Sequence, residues 1–178
     1  MFSIDVLVAL IAFIFVFIAA AQLNEYSVEK ISLLEKRNEM QRLSQSSMSS
    51  LIETAGIPPD WHTLPEDSFN VSHVHALGLV ASPLHGYPLL SEQKISVLDS
   101  LDASKYETYK TILGLHGYEF ELDIRVWDGS SYSSLYSVGR SPASYSSSVI
   151  RTDRFALVNG TWSNIILMVW EDCGKARC

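Results

Sequence analysis

From Val6 to Ala21 the chain reads VLVALIAFIFVFIAAA, with no charge, no Gly and no Pro. No other feature limits the fold so strongly. A helix rises about 1.5 Å per residue and a bilayer core takes roughly 20 residues to cross, so the segment from Phe2 to Leu23 is long enough only if Asp5 is tolerated within it. Three readings compete. A secretory signal peptide is served by the Ala19-Ala20-Ala21 triplet but lacks Lys or Arg ahead of the apolar run, and the helical pattern continues past it. A single-pass anchor explains the apolarity and leaves Asp5 unexplained, because a carboxylate at that depth needs a partner. The third is an assembly helix, lipid-held first and then buried among identical helices.

Beyond Leu23 the period of a helix persists while the character changes. Ile31, Leu34, Met40, Leu43, Ser47, Leu51 and Ala55 recur mostly at three- and four-residue steps, with Glu25, Glu29, Lys30, Glu35, Lys36, Arg37, Glu39 and Arg42 between them. That is an amphipathic stripe. Gly56 followed by Pro58-Pro59 is a stop signal, since Gly suits the left-handed cap and Pro cannot continue the ladder. The pattern predicts one helix from about residue 3 to 55, roughly 75–80 Å long at the helical rise. A domain of this size cannot enclose such a rod, and its first half is expected to protrude. The chain therefore divides into 1–56, an assembly or membrane helix, and 57–178, a head.

The head carries its own turn signals. Ser91 is an N-cap ahead of EQKISVLDSL, and Ser104-Lys105-Tyr106-Glu107 matches a capping box ahead of TYKTILGL, with Gly114 ending that helix. In YEFELDIRVW, Tyr118, Phe120, Leu122, Ile124 and Val126 alternate with charged residues, which predicts a strand with one buried and one solvated face. Asp128-Gly129 turns it, and Tyr132 to Val138 returns beside it. RFALV and TWSNIILMVW flank Asn159-Gly160, the pair best suited to a two-residue hairpin because both accept positive φ. HALGLVA, from His75 to Ala81, adds a short edge strand. The expected class is α+β: a long helix packed at its C-terminal half on an antiparallel sheet of about four strands.

The order of these elements resembles that of archaeal type IV pilin-like proteins, the family with a class III signal peptide. Ser3-Ile4-Asp5 before the apolar run is similar to the start of mature pilin-like subunits. Gly56-Ile57-Pro58-Pro59-Asp60-Trp61 is similar to the GxPxDW element that follows the helix in many of them. Leu77-Gly78-Leu79, the stretch Leu89 to Leu101 with Lys94 and Leu98, Leu113-Gly114-Leu115 and the closing hairpin ending in Val169-Trp170 complete the likeness. In that family a short basic peptide precedes the mature helix. Here Met1 stands at the first mature position, which fits a late-placed start codon, a chain already processed, or one that the peptidase leaves uncut.

The resemblance implies a non-enzymatic, extracellular filament subunit, polymerising through its N-terminal helix and serving surface adhesion. Its partners would be identical subunits, the membrane before assembly, the pilus assembly machinery and the class III signal peptidase. Ile4, Leu7, Leu10, Ile11, Ile14, Phe15, Phe17 and Ile18 would form the polymer core. An apolar side chain costs about 1.5–3 kcal/mol to leave in water, so six or more per subunit hold a fibre together without covalent links. Asp5 would pair with the free amino terminus of a neighbour and set the axial register. The alternative is a single-pass anchored protein whose external domain binds a ligand or partner. A head begun near Ile57 is expected, if it folds, to be monomeric.

Other chemistry is sparse. Asn70-Val71-Ser72 and Asn159-Gly160-Thr161 match the N-glycosylation pattern, with Asn159 also explained by its turn. Cys173 and Cys178, the only cysteines, sit in the polar tail EDCGKARC, where a disulfide would pin the C-terminus. His73 and His75, with His62 and His85 nearby in sequence, lack an evident further ligand, so no metal is expected. No GxSxG, HExxH or Gly-rich phosphate loop is present, and no cofactor is expected. The net charge of −7 argues against a nucleic-acid partner, which needs clustered Lys and Arg. The Ser- and Tyr-rich stretch 130–148 reads as edge strand and solvated loop.

Overall fold

The computed structural model describes residues 4–82, 87–142 and 148–171. Its contacts divide the chain into two compact units, Met1–Glu39 and Met40–Cys178, whereas the sequence pattern places a boundary at 56/57.

The first unit is helical. It holds the beginning of α1 (Ile4–Glu53), and its described side chains are exposed. From Leu7 to Ala21 every residue is apolar, so that part of the helix has no polar face to turn outward.

The second unit is α+β. After the end of α1 come β1 (Val80–Ser82), β2 (Leu89–Leu90), α2 (Glu92–Ser100), α3 (Asp102–Ile112), β3 (Tyr118–Trp127), β4 (Tyr132–Gly139), β5 (Val149–Val158) and β6 (Thr161–Glu171). The strands form one six-stranded sheet in the order β1-β2-β5-β6-β3-β4. Both expected hairpins are present, β3–β4 and β5–β6, and β3 and β6 pair antiparallel over most of their length. Asn159 at φ +50 and Gly160 at φ +77 make the tight turn that the Asn-Gly pair predicts.

The sheet is mixed, which corrects the expectation of about four antiparallel strands. β2 runs parallel to β5, with Leu89 opposite Leu157 and Leu90 opposite Val158. A parallel pair needs a long crossover, and α2, α3 and the β3–β4 hairpin supply it. A two-residue strand is too short to show any alternation. The edge strand expected at 75–81 is displaced, because Leu79 and Val80 donate their amides to Leu51 O (2.7 Å) and Thr54 O (3.1 Å) at the end of α1. Pairing as a strand starts only at Val80.

The helices show one match and one correction. Ser91 caps α2, accepting from the Lys94 amide. Ser104 caps nothing. Leu101 ends α2 and begins α3 in a helical conformation, leaving no extended residue between them for a capping Ser to occupy. Ser104 Oγ donates to Glu66 Oε1 (2.8 Å) and Leu101 O (3.2 Å) instead.

One core joins the last third of α1 to the sheet. Met40, Met48, Leu51 and Ile52 lie with Phe120, Leu122 and Ile124 of β3, Ile165, Leu167 and Val169 of β6, and Ile95 and Leu98 of α2. Trp61, Phe69 and Tyr109 continue it as successive edge-to-face rings at 5.8 and 5.4 Å. Ser44, Ser47 and Ser50 also face inward, and each is satisfied. They bond to Thr152 Oγ1 (2.8 Å), Leu113 O (2.7 Å) and Leu77 O (3.0 Å) respectively.

Candidate functional site

Three of the resemblance-bearing elements of the head meet at the C-terminal end of α1. A helix leaves its last carbonyls without partners, and buried ones must find donors elsewhere. Here the stretch around Gly78 supplies amides to Leu51 and Thr54, and the Lys94 ammonium donates to Ala55 O (2.7 Å) and Val80 O (3.0 Å). Lys94 is buried, which pushes its pKa below the ordinary lysine value, while the Asp60 carboxylate pulls the other way. Trp61 is fully enclosed and its Nε1 donates to Gly78 O (3.0 Å). The Gly-Ile-Pro-Pro-Asp-Trp turn thus delivers an indole, the Leu-Gly-Leu segment a backbone, and α2 a cation.

Two glycines make this closure possible. Gly56 has φ +87, and Gly78 lies so near the helix end that an added Cβ would collide with Thr54 O. His62, beside Trp61, has a shielded Nδ1 with no hydrogen-bond partner among the described residues. Burial lowers its pKa and Lys94 adds to the effect, with Asp60 opposing. The result is an anchor for a helix terminus.

A second polar cluster escapes the strand pattern. The charged face of β3 was expected to be solvated, yet Glu119 and Asp123 are buried. Glu119 accepts from Lys110 Nζ (2.7 Å), Arg140 Nη1 (3.2 Å) and Tyr106 Oη (2.8 Å), and the Tyr106 phenol is raised well above its usual pKa, chiefly by burial. Asp123 accepts from Arg125 Nε and Ser134 Oγ, both at 2.6 Å. Each carboxylate has partners arriving from a neighbouring element or strand, which alternation alone cannot reveal.

The expected assembly residues Leu7, Leu10, Ile11, Ile14, Phe15, Phe17 and Ile18 are 47–70% exposed and Ile4 79%. The helix holding them is long and apolar enough to cross a membrane. The Asp5 side chain lies outside the described residues, as do His85, Cys173 and Cys178. Asn70 Oδ1 accepts from the Ser72 amide (3.0 Å) and meets His73 Nδ1 at 3.0 Å, forming a local turn. Asn159 Nδ2, the atom a glycan would join, donates to Glu92 Oε2. Among the described residues, no three His, Cys, Asp or Glu side chains gather as a metal set. No family model matches this chain, and neither a curated protein nor a solved structure does, so the likeness to pilin-like proteins rests on its sequence elements alone.

Proposed function

We propose that this chain is the structural, non-enzymatic subunit of an extracellular type IV pilus-like filament, held in the membrane before assembly and presenting its head for surface adhesion. One observation carries the reading. Exposed apolar side chains on α1 continue well past the length a bilayer covers. Counting about 20 residues from Ile4, lipid accounts for the helix up to Leu23. Tyr26, Val28, Ile31, Leu33 and Leu34 lie beyond, and each is 54–60% exposed. Water is a poor solvent for them, and copies of the same helix are the natural cover. Asp5 would then pair with the amino terminus of a neighbouring subunit.

Electron microscopy of material sheared from the cell surface, with N-terminal sequencing of this band, tests the reading. Filaments containing the chain are expected, and Asp5→Ala is expected to lower their yield. Detergent-stable monomers with no fibres would overturn it and favour an anchored protein with a ligand-binding external domain.

A further inference from the structure

The sheet has a core-facing side and an outer side, and the outer side is uneven. Alternation along β6 places Ser163, Ile165, Leu167 and Val169 inward, and Trp162, Asn164, Ile166, Met168 and Trp170 outward. Ile166 and Trp170 are nevertheless buried, whereas the end of the sheet bearing the two hairpin turns is open. There Tyr132 pairs with Trp127 across β4 and β3, and continuing the β3–β6 register by one residue sets Trp127 opposite Trp162. Tyr87 meets the Trp162 ring edge-on at 5.4 Å, and Trp127 and Tyr132 lie 5.0 Å apart. These four rings are 42–62% exposed, and Phe155, one row further along the same face, is 56% exposed.

We propose that this outer-face row of Tyr132, Trp127, Trp162 and Tyr87 is a binding platform for neutral carbohydrate chains. Cross-strand aromatic pairing stabilises a sheet, but β-branched residues would do the same without leaving four large rings half in water. Tyr and Trp instead offer a flat apolar face with a polar tip, which suits a ligand that is apolar on one side and hydroxylated on its rim. Spanning three strands at about 4.8 Å spacing, Tyr132 to Trp162 covers roughly 10 Å before Tyr87 extends it, a length for several linked rings rather than one.

Charge narrows the ligand class. No ionised side chain stands in the row, and the chain carries −7 overall, so polyanions are disfavoured. The next row adds no free charge on the same face. Arg125 is engaged by Asp123, and the Asn164 Oδ1 is shielded from solvent. The platform uses residues of the second unit only. It gives the adhesive role proposed above a ligand class, and in that sense rests on it, but it would serve an anchored monomer equally.

The test is native electrophoresis of the full chain in a zwitterionic, sugar-free detergent, through gels containing a β-glucan, a xylan, a mannan or anionic polygalacturonate. Retardation by at least one neutral polymer and not by polygalacturonate is expected. Trp127→Ala and Trp162→Ala should each weaken it about tenfold, the loss of roughly one good ring contact. Tyr87→Ala, at the most exposed ring, guards against misfolding of the tryptophan variants and should also weaken it. Val149→Ala, at the far end of the same face, should leave it unchanged. The proposal is overturned if no neutral polymer retards the chain, if retardation survives the three aromatic substitutions, or if polygalacturonate retards it equally. It is also overturned if Trp162→Ala acts only by abolishing self-association, which would make a second copy the occupant. Microscopy decides the filament reading separately, since fibres can form whether or not the gels show retardation.

Discussion

Lys94 carries more of the fold than its type leads one to expect. Lysine is rarely enclosed, and burying an ammonium costs several kcal/mol unless its donors are used. Here two carbonyls, Ala55 O just beyond α1 and Val80 O in β1, hold it. Lys94→Met keeps the stem's packing and removes the donors, and is expected to cost about 2–4 kcal/mol through two buried carbonyls left unpaired, measurable by thermal or urea unfolding. His62 adds a pH dependence nearby. Its folded pKa lies below the ordinary value of 6.5, through burial first and Lys94 second, with Asp60 opposing. The unfolded chain therefore takes up a proton as pH falls through 6.5 while the folded chain resists. Stability contributed above that pH is lost below it. Comparing Tm at pH 7.5 and 5.5, His62→Gln is expected to show a smaller acid fall than the unaltered chain.

At the scale of elements, the junction between α1 and the sheet depends on close backbone approach. Gly78→Ala puts a methyl group against Thr54 O and the Gly56 amide, both backbone atoms that cannot swing aside. The expected cost is about 3 kcal/mol or more, seen as a large drop in Tm, whereas Gly114→Ala, with open space around it, should lose only the strain of its positive φ. The contrast marks what a sequence can disclose. β3 and the β5–β6 hairpin were legible because alternation and an Asn-Gly pair are local signals. The start of α3 was misplaced because the helical Leu101 linking α2 to α3 leaves no signature. β2 was invisible, since its pairing partner lies far along the chain and its Leu-Leu is not a pattern. The same limit hid the site. Trp61, Gly78 and Lys94 carry the pilin likeness, yet their common task of closing one helix end appears only when three separate segments meet. The aromatic row was equally hidden, because its four rings come from three strands and a loop.

For the whole molecule, where the head begins is a matter of which residues its core requires. The sequence pattern divides the chain at the Gly-Pro-Pro stop, but the contact boundary lies at Glu39/Met40, and Met40, Met48, Leu51 and Ile52 belong to the head's core. Ser44 and Ser47 also satisfy partners in β5 and beside Gly114 from within the same stretch. A chain begun at Ile57 loses all of these, and each large core side chain is worth about 2–5 kcal/mol when truncated in place. A domain is stable by only about 5–15 kcal/mol, so this head is expected to lack a cooperative thermal transition. A chain begun at Asn38 keeps every one of them and sheds the exposed apolar helix. It is expected to melt cooperatively and to sediment as a monomer, because the surface proposed to drive polymerisation is gone. Self-association of the Asn38 chain into fibres would place the assembly surface on the head and remove the N-terminal helix from that role.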